Sequence, residues 1–178
     1  NTTRHADRIL RTFMDRPNST GVMLNGEKGS GKTLLAKTLS IEGAKQGIPT
    51  IIINTPFAGD TFNKFMQDIE QPCIILFDEF EKVYEARDAQ NEILTLMDGM
   101  FETKLVFLFT VNELRVSEYF TNRLNRIKYH KAYGDLTDDE VSEIVDDMLI
   151  NRSHKESIFE FLNKVNMRTY DLIVNIIK

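Results

Sequence analysis

Along this chain short apolar runs alternate with stretches of helical spacing. Apolar runs fall at Val22–Leu24, Ile51–Ile53, Cys73–Phe77, Leu105–Thr110 and Ile127–Tyr129. The first four are nearly continuous in apolar residues, the pattern of parallel strands covered on both faces. Helical spacing marks Asp7 to Met14 (Ile9, Leu10, Phe13), Thr33–Lys45 ending at Gly47, Thr61–Ile69 ending before Pro72, and Ala89–Met97 ending at Gly99. Strands alternating with helices predict βαβ units and a parallel sheet, an α/β fold. After Tyr133-Gly134-Asp135 the pattern changes. Thr137-Asp138-Asp139-Glu140 reads as a capping box opening a helix to about Ile150, followed by helices at Glu156–Val165 and Arg168–Ile177. The spacing therefore predicts an α/β core over 1–134 and a small helical subdomain over 135–178.

Between the first run and the helix after it lies Gly26-Glu27-Lys28-Gly29-Ser30-Gly31-Lys32-Thr33, followed by Leu34. A triphosphate needs backbone N–H groups pointing inward with no side chains in the way. The glycines allow that turn, and the helix that follows offers its N-terminus to an anion. The stretch is G-x-x-x-x-G-K-T, the phosphate-binding loop of P-loop NTPases. In this pattern Lys32 reaches the β- and γ-phosphates. The Thr33 hydroxyl is a hard oxygen ligand suited to Mg²⁺.

Cys73–Phe77 ends in Asp78 and Glu79, 45 residues after Thr33. An acid at the carboxyl end of a buried strand stands where α/β sheets bind ligands. Asp78 is the candidate Mg²⁺ residue and Glu79 the candidate general base. An acid directly after the metal-binding Asp favours hydrolysis over transfer to a small acceptor. Leu105–Val111 ends in Asn112. Spacing alone leaves Asn112 either a turn asparagine or a group that orients the attacking water.

Together these residues resemble the AAA family of ATPases, a branch of the AAA+ superfamily, over nearly the whole chain. The resemblance implies a five-stranded parallel P-loop core with a small C-terminal helical lid, and ATP with Mg²⁺ as cofactors. Asn112 matches the family's sensor-1 position. Ile93–Gly99 resembles the helix end that precedes the sensor-1 strand. Asn122-Arg123-Leu124-Asn125-Arg126-Ile127 resembles the N-R-P-G-R-I segment, with Leu124-Asn125 replacing Pro-Gly. By that resemblance Arg123 and Arg126 act as arginine fingers on the neighbouring subunit's γ-phosphate, and a homo-hexameric ring is expected. The residues alone also allow surface arginines at a helix end. Phe57-Ala58-Gly59 stands where the family carries its substrate-gripping pore loop; the residues alone also allow a buried loop phenylalanine, and Ala58 is smaller than the usual hydrophobic residue. Arg168 stands where the superfamily often has a γ-phosphate-contacting sensor-2 arginine, or is a helix-start surface residue.

Composition narrows the field. The net charge of −5 disfavours a general nucleic-acid surface. The single Cys73 excludes an intrachain disulfide and fits a cytoplasmic or other reducing compartment. No apolar run approaches the length of a membrane span. His5, His130 and His154 are dispersed and are assigned structural roles; Glu79-Phe80-Glu81-Lys82 reads as a solvated face apart from Glu79. The chain starts at Asn1, which predicts a fragment of a longer protein. The expected function is an ATP-hydrolysing motor module that remodels or threads a protein partner. The alternatives are a nucleic-acid-associated AAA+ factor of the helicase-loader or initiator type, and a nucleotide-gated assembly scaffold.

Overall fold

The structure, a computed structural model, describes residues 2–112 and 127–178. They divide into two units. The larger holds residues 1–25 and 32–132; the smaller joins 26–31 to 133–178.

The larger unit is built on a five-stranded sheet. Its strands are β1 (Thr20–Gly26), β2 (Thr50–Ile53), β3 (Ile74–Phe77), β4 (Val106–Val111) and β5 (Ile127–Tyr133), in the order β2-β3-β4-β1-β5. β2 pairs with β3, β3 with β4 and β4 with β1, all parallel. The predicted parallel α/β architecture is thus the observed one. β3 and β4 are buried along their whole length, which is why their sequences run apolar without alternation. β2 departs from that expectation. It is an edge strand, and Ile52 is 60% exposed. β5, the other edge, alternates buried and open positions and carries Lys128 and Lys131, charges that discourage strand pairing with another chain.

Helix α1 (Thr2–Asp15) starts earlier than its apolar spacing indicated, and buries Ala6, Ile9, Leu10 and Phe13 on one face. Its last turn leaves carbonyls without helical partners. Lys104 satisfies them, its Nζ donating to the carbonyls of Phe13, Met14 and Arg16 at 2.8, 2.9 and 2.9 Å. α2 (Lys32–Lys45), α3 (Gly59–Gln67), α4 (Phe80–Val83) and α5 (Arg87–Met97) complete the unit's helices among the described residues. α4 corrects the expectation of a solvated face after Asp78: Phe80 is 1% exposed. It packs edge-on against Phe77 and Phe109, whose rings stack at 5.0 Å. A single turn is too short to show helical periodicity, so the inward placing of Phe80, with Val83 partly buried beside the core, has no pattern in the sequence.

Register decides what the core delivers. Phe77 lies beside Phe109, and Phe109 beside Met23. The residues that follow on β3, β4 and β1 are Asp78, Thr110 and Leu24, so the strand ends emerge side by side.

The smaller unit contains α6 (Asp138–Met148), a 3₁₀ turn (Arg152–His154), α7 (Lys155–Val165) and α8 (Tyr170–Ile177). Val141, Val145, Ile158, Leu162 and Ile173 form its core. The expected capping box is present. Glu140 N–H donates to Thr137 Oγ1 at 3.3 Å, and Thr137 N–H donates to Glu140 Oε2 at 2.9 Å.

Candidate functional site

In the larger unit, one hydroxyl fixes both acids at the end of β3. Thr110 Oγ1 donates to Asp78 Oδ1 at 2.6 Å and accepts from Glu79 N–H at 2.8 Å. Thr110 was read from sequence only as the end of an apolar strand; no pattern distinguishes it there. Glu79 adopts the left-handed conformation, φ 48° and ψ 48°, which costs a non-glycine residue roughly 1 kcal/mol. That turn ends β3 and starts α4, and the carboxylate meets Asn112, whose Nδ2 donates to Glu79 Oε1 at 3.2 Å. Asn112 N–H in turn donates to Glu81 Oε1 at 2.9 Å. Lys82 pairs with Glu79 Oε1 at 2.8 Å in an open, solvent-screened contact, and that bond raises the lysine's pKa.

Lys32, at the start of α2, is 5% exposed. Burial pushes its ammonium below the ordinary value, while the carboxylates of Glu81, Asp78 and Glu79, in that order, pull it back. Lys32 thus lies in the field of three carboxylates, and the acids are hard oxygen donors of the kind that suit Mg²⁺. Thr33 follows in the first turn of α2, exposed, and Leu34 is partly buried.

In the smaller unit, the loop 26–31 is held by backbone geometry that only glycine supplies. Gly26 has φ +148°, and a Cβ there would lie 2.4 Å from the Tyr133 carbonyl oxygen. Gly29 has φ +80°, its carbonyl accepts from Asp171 N–H at 3.0 Å, and a Cβ would meet the Asp171 carboxylate at 3.0 Å. Ser30 N–H bonds back to the Glu27 carbonyl at 3.3 Å, while Glu27 and Lys28 are exposed. The loop is a cradle of glycine backbone whose chemistry suits a phosphate.

The remaining candidates are dispersed. Phe57 is 52% exposed and stacks on Phe62 at 6.1 Å. Ala58 is the N-cap of α3, and Gly59 opens that helix with φ +83°. Gly59 N–H donates to Glu92 Oε1 at 2.7 Å. Arg168 lies just before the Thr169 cap of α8; its guanidinium is held by Asp138 and by Asn163 Oδ1, the latter at 2.6 Å. Arg123 and Arg126 lie outside the described residues. His5 bonds with Tyr129, and His130 with Asn25 Oδ1 at 2.7 Å.

The profile of the ATPase family associated with various cellular activities (AAA) matches residues 22–132. Over 109 residues the chain is 33% identical to the protein named "Putative cell division cycle ATPase" of Plasmodium falciparum (isolate 3D7), covering 49% of this chain and 8% of that protein. Among solved structures, that of the Aeropyrum pernix ORC1 protein in complex with DNA superposes with a TM-score of 0.68 at 14% identity, over 97% of this chain and 56% of the other. The FIGL-1 AAA domain in complex with ADP gives a TM-score of 0.59 at 18% identity, over 88% of this chain and 62% of that one. At such identities the structural likeness is one of fold. Family profile, phosphate loop and paired acids agree: the chain belongs to the AAA family of ATPases, a nucleotide-hydrolysing P-loop module with ATP and Mg²⁺ as its cofactors.

Proposed function

We propose that this chain is the motor module of a ring-forming protein that remodels or threads a polypeptide. In this reading residues 26–34 hold the phosphates, Lys32 supplies the compensating charge, and Thr33 with Asp78 hold the metal. Mg²⁺ held there would supply the charge neutralisation that phosphoryl transfer needs. Glu79 takes a proton from the attacking water, and Asn112 keeps the Glu79 carboxylate turned to that task. Arg123 and Arg126 act across the subunit interface. For Arg168 to contact a γ-phosphate, its guanidinium must leave Asp138 and Asn163, which makes the sensor-2 role conditional on a rearrangement inside the smaller unit.

One observation carries the polypeptide reading. Phe57 stands half-exposed on a loop tied to residues beyond the paired acids, so an aromatic surface and the hydrolytic turn share a rigid support. Phe57 and Phe65, both about half exposed, stack on either side of Phe62, and an exposed aromatic patch of this kind supports a contact role. The test is Phe57→Ala assayed for ATP-driven unfolding of a tagged substrate protein. Basal ATPase activity should persist and substrate work should vanish. Retained substrate work would overturn the proposal.

The nucleic-acid reading has its own support. Arg4, Arg8, Arg11 and Lys128 are exposed on α1 and β5, and Arg8 lies 5.9 Å over the Tyr129 ring, so the two elements share a basic face within an acidic chain. ATPase stimulation by DNA that is lost on Arg8→Glu and spared by Phe57→Ala would move this reading ahead.

A further inference from the structure

Glu81 is not needed by any motif read from the sequence, yet it is built into the acid cluster. One carboxylate oxygen, Oε1, accepts the Asn112 backbone N–H at 2.9 Å. The other, Oε2, is buried and has no hydrogen-bond partner among the described residues. Burying a carboxylate oxygen is unfavourable unless the surroundings compensate it. Its countercharge is at hand: among the acids acting on buried Lys32, Glu81 contributes most.

We propose that Glu81 is a positioning residue for hydrolysis, clamping the end of β4 to α4 through the Asn112 N–H so that the Asn112 side chain stays on Glu79. The geometry gives the reason. Glu79 and Glu81 flank Phe80, which is locked in the core, so both carboxylates project from one fixed turn. Asn112 is then gripped twice, by Glu81 at its backbone and by Glu79 at its side chain, the second at 3.2 Å. Without the first grip the strand end is free to swing, and the amide loses its fixed approach to the base. Misplacement of about 1 Å in such a constellation lowers turnover by up to about 100-fold. The inference rests on Glu79 being the base and Asn112 its partner.

The experiment is steady-state ATP hydrolysis by the intact protein, with Glu81→Ala, Glu81→Asp, Glu81→Gln, Asn112→Ala, Glu79→Gln and the Glu81→Ala/Asn112→Ala pair. Glu81→Ala should lower kcat by about tenfold or more while KM for ATP changes by less than about threefold. Glu81→Gln keeps a carbonyl acceptor for the Asn112 N–H and should hold kcat within about threefold of wild type. Glu81→Asp keeps the charge but is one methylene short, and should behave like alanine. The paired variant should be no slower than Asn112→Ala alone, because both changes break one linkage. If the alanine variant does not fold, the Asp and Gln variants decide the matter. Aspartate active with glutamine inactive would show that charge, not the clamp, matters, and would overturn the proposal. So would additive losses in the pair, or unchanged kcat in Glu81→Ala. Full turnover by Glu79→Gln would instead refute the base assignment beneath it, whatever Glu81 does.

Discussion

The Tyr84 hydroxyl donates to the Phe57 carbonyl at 2.7 Å. Tyr84 ends the turn that follows the paired acids, is 1% exposed, and packs against Phe77 and Phe80. The loop it holds is tight, since Phe57 N–H bonds back to the Thr55 carbonyl at 2.7 Å. Its far end is pinned by Glu92 on α5 through the Gly59 N–H. A displacement of α4 therefore reaches Phe57 through one ring and one hydrogen bond.

That bond has a signature in alkali. Burial first, and the nearby Glu92 carboxylate second, push the Tyr84 hydroxyl up to about 12 from its ordinary 10. The folded chain therefore holds this proton more tightly than the unfolded chain. The stabilisation is fully present below about pH 10 and is lost as pH rises from about 10 to about 12. Denaturant unfolding followed across that range should show a loss that Tyr84→Phe lacks. At neutral pH the same variant should be less stable by about 1 kcal/mol, the worth of one buried hydrogen bond. Matching alkaline curves for the two proteins would contradict the assignment.

At the hydrolytic turn, Glu79→Gln preserves size and the contact from Asn112 but removes the carboxylate. Nucleotide binding should stay near wild type, while hydrolysis falls by about two orders of magnitude. Lys32→Ala should act differently, weakening ATP binding itself, because in the proposed site the buried ammonium is the charge that meets the phosphates. Fluorescent nucleotide titration separates the two effects. Single-turnover hydrolysis then places the Glu79 loss in the chemical step.

Much of this was legible in the sequence because the signals are local. Continuous apolar runs gave β3 and β4, and Thr137 with Glu140 gave the start of α6. The glycine loop, Lys32, Asp78 and Glu79 follow from fixed spacing. What stayed hidden depends on register. Thr110 reaches Asp78 and Glu79 only because β3 and β4 align Phe77 with Phe109. Glu81 meets the Asn112 N–H across 31 residues, and Tyr84 meets Phe57 across 27. Ile52 looked like core because apolarity does not distinguish an edge strand from a central one. Phe80 looked like surface because two charged neighbours surround a single buried ring.

Arg123 and Arg126 should matter only between subunits if they are fingers. Arg126→Ala and Glu79→Gln proteins should each be inactive alone. Mixed, they form some interfaces that pair an intact base with an intact arginine, and part of the activity should return. ATPase rate per subunit should also rise with protein concentration as rings assemble. A monomer that hydrolyses ATP at full rate at every concentration would end the trans-arginine assignment.

Phe57 and Phe80 offer a matched comparison between a contact group and a core group. Both are phenylalanines in the larger unit, yet one is 52% exposed and the other 1%. Phe80→Ala removes ring contacts with Phe77, Phe109 and Tyr84 and should lower stability by about 3–5 kcal/mol. Phe57→Ala loses one stacking partner, Phe62, and keeps the backbone carbonyl that Tyr84 binds. Its cost should be about 1 kcal/mol, within the range of a half-exposed aromatic pair. The two variants should therefore part company: Phe80→Ala unstable, with ATPase activity falling by at least the loss of folded protein, and Phe57→Ala stable, with normal basal hydrolysis and no work on substrate. Equal destabilisation by both would place Phe57 in the core and remove its role as the gripping residue.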